Sequence, residues 1–96
     1  MPFFSVIIPL YNKENLIEQT ISGLLDQSFT DFEVIIVNDG STDNSLEKIN
    51  HLIDNRFKII NQDNKGASFA RNIGIENSNG NYIALLDADD YWNTNH

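Results

Sequence analysis

Short apolar runs alternate along the chain with segments of helical periodicity, and this alternation restricts the possible folds more than any other feature. The apolar runs are FFSVIIPL, FEVIIVN, RFKIIN and YIALLD, and we predict that each forms a strand. FEVIIVN is apolar almost throughout, which indicates burial on both faces of a sheet. The order β-α-β-α-β-α-β predicts an α/β fold with a mainly parallel sheet and helices on its faces.

The segments between the strands carry the helical pattern. Asn12 is placed to cap a first helix, whose apolar face is formed by Leu16, Ile17, Thr20, Ile21, Leu24 and Leu25. A second helix follows DGSTDNS and carries Leu46, Ile49, Leu52 and Ile53. The third, ASFARNIGIEN, has a small inner face of Ala67, Ala70 and Gly74, with Ile73. We expect those small residues to let the third helix lie close to the sheet.

Composition limits the classes of function. The 96 residues, 41% hydrophobic and 21% charged, suit one soluble domain over residues 1–96 or part of a larger one. A net charge of −8, without clustered Lys and Arg, argues against nucleic-acid binding. Cysteine is absent, which excludes disulfides and favours a cytosolic setting. The apolar start lacks a signal peptide's basic region, and no run reaches the ~18 residues of a membrane span.

Polar residues gather where the first, second and fourth strands end. The three clusters are PLYNKE, NDGSTD and DADD. In open α/β sheets, ligands bind beyond the carboxyl ends of the strands, at the point where the strand order reverses. Because all three clusters fall on that rim, the sequence predicts a ligand site there.

Asp39 and Asp43 have a structural interpretation beside the functional one. DGSTD consists of residues that are common in turns between a strand and a helix, so either aspartate could serve as a turn or cap residue. For Asp43 we weigh capping alone equally with capping plus ligand contact. For Asp39 we favour a ligand, because Gly40 after it would let another group approach closely.

Asp87 and Asp89 are expected to lie near each other on one loop. Adjacent carboxylates repel, and a divalent cation removes that penalty; oxygen-only ligands suit Mg²⁺ or Mn²⁺. The alternative is that Asp89 or Asp90 stabilises a helix N-terminus, which we favour less. Such ions usually take further ligands from substrate phosphates, so a phosphorylated ligand is implied, most plausibly a nucleotide diphosphate.

The usual phosphate-binding motifs are missing from the sequence. Neither G-x-G-x-x-G nor G-x-x-x-x-G-K-[ST] is present, which argues against dinucleotide-dependent dehydrogenases and P-loop NTPases. Arg71 could be a solvated surface charge or the partner of a phosphate or an aspartate, and its sequence context alone leaves this open.

Three stretches carry a resemblance to a known family: SVIIPLYNKE, EVIIVNDGSTDNS and NKGASFARNIGIENSNGNYIALLDADD. In order and spacing they resemble the N-terminal half of the family 2 glycosyltransferases with a GT-A fold, from about Ser5 to Trp92, which implies a Rossmann-like half-domain. The resemblance implies a nucleotide-sugar donor, usually a UDP-sugar, bound with Mn²⁺ or Mg²⁺. It also implies transfer, with inversion, to a saccharide or lipid-linked acceptor.

The resemblance also implies roles for individual residues. The implied donor-binding set is Pro9, Tyr11, Glu14, Asp39, Arg71, Asp87, Ala88 and Asp89. Within it, the first three lie near the uridine, Asp39 contacts the uracil and Arg71 lies near the donor. In the D-x-D motif Asp87 faces the ribose and Asp89 is the metal ligand. Asn38 departs mildly from the pattern, since many relatives carry an aspartate there.

The family's catalytic base is a carboxylate far downstream of D-x-D, so we assign no catalytic residue here and expect the base beyond His96. We therefore expect the donor-binding half of a longer enzyme, which binds UDP weakly with Mn²⁺ and does not turn over. An exposed sheet edge could drive self-association of this part. The expected location is the cytoplasm, or the periphery of the membrane's inner face if the acceptor is lipid-linked.

Two other functions stay open at this point. LLDADDYW also fits a haloacid-dehalogenase-type phosphatase, with Asp87 as nucleophile and Asp89 as general acid, although that motif normally opens its domain. The chain could also be a non-catalytic module that binds a nucleotide or a partner.

Overall fold

A computed structural model of the chain describes residues 3–26 and 31–87. These residues form the strands β1 (Phe4–Leu10), β2 (Phe32–Asp39), β3 (Phe57–Gln62) and β4 (Tyr82–Leu85). The helices are α1 (Ile17–Leu25), α2 (Ser45–Ile49) and α3 (Ala67–Glu76). The order β-α-β-α-β-α-β is confirmed.

The four described strands form one parallel sheet in the order β3-β2-β1-β4. Ile7 in the middle of β1 is paired with Ile35 of β2 on one side and with Leu85 of β4 on the other. The chain therefore moves outward from β1 to β3 and then returns across the sheet to β4. The α/β prediction with a parallel sheet is confirmed.

This return places helices on both faces of the sheet, because right-handed crossovers in opposite directions cover opposite faces. On one face, α1 and α2 pack over Val6, Ile8, Val34 and Ile36. On the other, the Ala70 methyl of α3 packs with Ile7, Ile35 and Val37. Alternate residues of β1 and β2 thus enter different cores, and Val6–Ile8 and Val34–Val37 are fully buried.

Helix α3 lies close to the sheet at Gly74, as the small residues predict. Gly74 is buried, and a Cβ added there would collide with Cγ2 of Ile7. Ala70 is fully buried and Ile73 packs against the same core. Ala67 was expected on this inner face, but it is exposed in the first turn.

Three details of the predicted helices are wrong. Helix α1 is preceded by Leu16, which is 42% exposed, and Asn12 does not cap it because the Asn12 side chain bonds to the loop after β2. Helix α2 ends at Ile49, so Leu52 and Ile53 follow the helix. They still pack against the core that α2 covers.

Strand β4 forms an edge of the described sheet and leaves apolar side chains in solvent. Its pairing within the described residues is with β1, and Tyr82, Ile83 and Leu85 are 58, 43 and 53% exposed. The apolar edge on which self-association was predicted is thus present, and the association itself stays a prediction. No helix in the described part of the chain is long and apolar enough to cross a membrane.

Candidate functional site

The strand order reverses between β1 and β4, and a cleft lies at that reversal. Its volume is about 390 Å³. The loops that follow β1, β3 and β4 and the first turns of α3 surround it, together with the end of β2. The lining residues are Pro9, Leu10, Tyr11, Lys13, Asp39, Asn64, Gly66, Ala67, Arg71 and Asp87.

Five residues of the predicted donor-binding set line this cleft: Pro9, Tyr11, Asp39, Arg71 and Asp87. Glu14 is not among the lining residues; its carboxylate accepts a hydrogen bond from Asn44 N–H instead (3.3 Å). Ala88 and Asp89 lie outside the described residues. The donor-contact role of each residue stays a prediction, and the structure shows which of them share one cavity.

Asp39 ends β2 and is buried, with 4% of its surface exposed. Its Oδ1 accepts hydrogen bonds from Gln62 Nε2 (2.8 Å) and from Lys65 N–H (2.7 Å). Its Oδ2 accepts one from Gly66 N–H (2.9 Å). A single carboxylate therefore ties the end of β2 to β3 and to the loop that leads into α3.

These bonds determine the charge state of Asp39. Burial by itself raises the pKa of the carboxyl, but the hydrogen bonds from Lys65, Gln62 and Gly66 outweigh it, and the pKa is lowered. Asp39 is therefore ionised at neutral pH. An ionised carboxylate offers about four acceptor positions, and the described protein uses three of them.

Gly40 explains how this loop comes so close. Its φ of +75° suits glycine, and a Cβ there would lie 3.0 Å from the backbone nitrogen of Asn64. We expected Gly40 to let another group approach closely, and the group that does so is the β3–α3 loop. That loop in turn supplies Asn64, Gly66 and Ala67 to the cleft.

Arg71 and Asp87 face each other across the cleft. The Arg71 Nη2 lies 3.3 Å from Oδ1 of Asp87, and the two side chains are 33 and 56% exposed. Arg71 extends from α3 and Asp87 follows β4, so the pair joins the two sides of the reversal. Because both side chains are partly solvated, a ligand could replace this contact at small cost.

Tyr11 and Lys13 enter the cleft from the loop after β1. Tyr11 is 43% exposed, so much of its ring is available to a planar ligand. Lys13 is half-buried, and its backbone N–H donates to Oγ of Ser45 at the start of α2 (3.0 Å). With Arg71, Lys13 brings positive charge to a cleft that also holds Asp39 and Asp87.

Asp43 belongs to the wall behind the cleft. Its Oδ2 accepts a bond from Glu14 N–H (3.2 Å), and its Oδ1 accepts bonds from the N–H and Oγ of Ser45. Burial raises the pKa of this carboxyl, and the bonds from Ser45 and Glu14 lower it by more. The structure thus gives Asp43 a complete structural role, without a place in the cleft lining.

The predicted donor-binding set did not include Leu10, Lys13, Asn64, Gly66 or Ala67, which also line the cleft. Lys13 had a usable signal, because it lies two residues after Tyr11 in the same rim loop. Asn64 and Gly66 lie in the third stretch of the family resemblance, but that stretch gave no signal that placed them at the ligand. Their loop reaches the cleft through the bonds to Asp39, which are contacts distant in sequence.

The described residues contain no group of three or more His, Asp or Glu that could hold a metal ion. Asp87 does provide one exposed carboxylate at the cleft. Oxygen ligands of this kind fit a hard divalent cation that takes its other ligands from phosphates. The predicted metal ligand Asp89 is outside the described residues.

Comparisons with known proteins agree on one family. The family model described as glycosyl transferase family 2 matches residues 5–96. An uncharacterized glycosyltransferase of Haemophilus influenzae is 46% identical over 94 residues, which cover 95% of this chain and 38% of that protein. This chain thus spans less than half the length of that relative.

Solved structures show the same fold. The crystal structure of Staphylococcus aureus TarS 1-349 in complex with UDP-GlcNAc matches with a TM-score of 0.87 and 34% identity, over 96% of this chain and 28% of that one. The mannosyltransferase PcManGT of Pyrobaculum calidifontis, in complex with GDP-Man and Mn²⁺, matches with a TM-score of 0.86 over 95% of this chain and 28% of that one. Its 24% identity supports the fold alone. The family match favours the transferase over the phosphatase hypothesis.

We expect Asp39→Asn to lower the free energy of unfolding at pH 7 by about 2 kcal/mol, because an amide offers one acceptor oxygen and turns an NH₂ toward a backbone donor. The lowered pKa means that the stabilisation by Asp39 is complete above its ordinary value of 3.8 and is lost as the pH falls through the folded-state value. In urea titrations from pH 7 to pH 3, the difference in unfolding free energy between the two proteins should therefore shrink as the pH falls below 3.8.

The matched control is Asp63→Asn, an exposed aspartate at the start of the same loop. It should change the unfolding free energy little at any pH. A difference between Asp39→Asn and the unsubstituted chain that is equally large at both ends of the pH series would contradict the role given to the Asp39 carboxylate.

Proposed function

The chain belongs to glycosyl transferase family 2, and from that premise we propose that its cleft binds the nucleotide-diphosphate part of a sugar donor, specifically a UDP-sugar. The observation that carries the proposal is the convergence of Tyr11, Asp39 and Arg71 on one cleft at the reversal of the strand order. Ligands of open α/β sheets bind at such a reversal. The relative TarS, crystallised with UDP-GlcNAc, supports the same class of donor.

The nucleobase is proposed to lie between Tyr11 and Asp39. The exposed Tyr11 ring offers a face for stacking, and Asp39 offers the acceptor position that its bonds to the protein leave over. One free position suits a base that presents a single N–H between two carbonyl groups, as uracil does. Guanine would present two adjacent donors to the carboxylate. This difference supports UDP over GDP as the nucleotide.

The diphosphate is proposed to lie toward Lys13 and Arg71. These two side chains bring positive charge to the cleft lining, and the planar Arg71 guanidinium suits paired phosphate oxygens. In the protein alone, Arg71 contacts Asp87. Phosphate oxygens would take the place of that carboxylate beside Arg71, and Asp87 is proposed to contact the ribose or a metal.

A divalent cation, Mn²⁺ or Mg²⁺, is proposed to be held by Asp89, with Asp87 beside it and with oxygens of the donor. Such a cation would act as a Lewis acid that stabilises the departing diphosphate. The residues of this chain would orient the donor and screen its negative charge.

For the whole protein we propose inverting transfer of the sugar to a saccharide or lipid-linked acceptor. Inversion requires a base that takes a proton from the acceptor hydroxyl, whose oxygen then attacks the anomeric carbon from the face opposite the diphosphate. We place that base and the acceptor site outside these 96 residues. The contribution proposed for this chain is donor binding.

Replacement of Lys13 with glutamine should weaken UDP binding by about fivefold, because it removes one positive charge near the diphosphate, worth about 1 kcal/mol. Isothermal titration calorimetry at 0.05 M and 0.5 M salt measures the effect. The loss should be smaller at the higher salt concentration, where the attraction is screened.

The matched control is Lys48→Gln, which removes the same charge from an exposed position on α2. It should leave the Kd for UDP within twofold. Equal effects of the two substitutions would contradict a diphosphate contact by Lys13, while absence of UDP binding by the unsubstituted chain would contradict the donor site as a whole.

The metal assignment predicts that Mn²⁺ tightens UDP binding and that Asp89→Ala removes this dependence on Mn²⁺. Calorimetry of UDP binding, with and without Mn²⁺, measures both effects. The neighbouring Asp90→Ala should keep the dependence, which makes it the control for loss of a nearby negative charge. If the unsubstituted chain and Asp89→Ala bind UDP equally with and without Mn²⁺, the assignment is wrong.

A further inference from the structure

The side chain of Asn12 joins two loops that are far apart in sequence. Its Oδ1 accepts hydrogen bonds from Thr42 N–H (2.8 Å) and Asp43 N–H (3.3 Å). Its Nδ2 donates to Oγ1 of Thr42 (3.3 Å), and its backbone N–H donates to Oγ of Ser41 (3.1 Å). The side chain of Asn12 thus supplies the acceptor for two backbone donors of the loop between β2 and α2.

The backbone of Asn12 is as specific as its side chain. Its φ is +50°, and no other non-glycine residue in the described part of the chain has a positive φ. Asparagine tolerates this left-handed conformation better than most residues. The turn at Asn12 separates Tyr11 from Lys13 and allows both to reach the cleft, whereas Asn12 itself is not among the lining residues.

The next two residues continue the same attachment. Lys13 N–H donates to Oγ of Ser45, and Glu14 N–H donates to Oδ2 of Asp43. The Glu14 carboxylate accepts the return bond from Asn44 N–H. The loop after β1 is therefore held along its length by the loop after β2, and Asn12 contributes the largest number of these bonds.

We infer that Asn12 is a positioning residue for the donor: by holding its loop against residues 41–43, it fixes where Tyr11 and Lys13 stand in the cleft. This inference rests on the proposed function, since it concerns binding of the nucleotide in that cleft. It adds a specific claim, that affinity for the nucleotide depends on a side chain that does not line the site.

Two substitutions separate the side chain from the backbone conformation. Asn12→Gly keeps the positive φ at no steric cost but removes the side-chain bonds to Thr42 and Asp43. Asn12→Asp keeps an oxygen that accepts from both N–H groups. We expect the glycine variant to weaken UDP binding by about fivefold, and the aspartate variant to stay within twofold of the unsubstituted chain when both are measured in 0.5 M salt, which screens the added charge of the aspartate.

The matched control is Asn61→Ala. Its side chain accepts one hydrogen bond from Asn38 Nδ2 (3.0 Å) between the ends of β2 and β3, and it does not line the cleft. This variant tests the loss of an exposed amide bond near the same rim, and it should leave the Kd for UDP unchanged.

The readout that distinguishes positioning from general stability is ¹⁹F NMR of protein labelled with 3-fluorotyrosine. The chain has three tyrosines, and Tyr11→Phe assigns the resonance of Tyr11. In the absence of nucleotide, Asn12→Gly should shift or broaden the Tyr11 resonance and leave that of Tyr82 unchanged. Asn12→Asp should restore the Tyr11 resonance together with the affinity.

The outcomes separate this inference from the proposed function. If Asn12→Gly binds UDP like the unsubstituted chain, or weakens binding with the Tyr11 resonance unchanged, the positioning role is overturned and the donor site stands. Failure of Asn12→Asp to restore affinity would also overturn the role of the accepted bonds. If the unsubstituted chain does not bind UDP, the donor site fails and the inference fails with it.

Discussion

The return of the chain from β3 across the sheet to β4 is the constraint on which the rest of the structure depends. Because parallel crossovers are right-handed, a change of direction moves the connecting helix to the other face, and α3 lies opposite α1 and α2. The loops after β1 and β3 then leave the sheet toward different faces, because they lead into α1 and α3. The cleft is the space between them, so its position follows from the topology before any side chain is considered.

Within that frame, polar groups divide into those that build the cleft and those that are available to a ligand. Asp43 and Asn12 form hydrogen bonds with neighbouring parts of the rim and do not line the cleft. The Asp39 carboxylate has both roles, because it accepts bonds from Lys65 and Gly66 and also lines the cleft. Because these hydrogen bonds already hold the loops in place, a ligand would have less of the chain to order on binding. Arg71 and Asp87, partly solvated and paired with each other, form the side that can change partners.

The sequence predicts the architecture well because its signals are local. Apolar runs identify the strands, and small residues in the third helix predict the contact of Ala70 and Gly74 with the sheet. The rule that ligands bind beyond the carboxyl ends of parallel strands predicts that Tyr11, Asp39 and Asp87 lie at one edge. It fails where long-range bonds override a local preference. Asn12 suits a helix cap by position, yet its oxygen finds donors 30 residues away. The loop of Asn64 and Gly66 lies at the cleft because the N–H groups of Lys65 and Gly66 donate to Asp39, and no local sequence pattern predicts those bonds.

Binding of UDP in the cleft at the reversal of the strand order can be followed by ¹H–¹⁵N NMR during a UDP titration. We expect the amide resonances of Tyr11, Lys65, Gly66 and Arg71 to shift together with one Kd. Gly80, whose N–H is bonded to Ser5 Oγ at the opposite end of β1, should not move. Saturable shifts centred on Gly80, or unchanged amide resonances around Asp39, would contradict binding of UDP in this cleft.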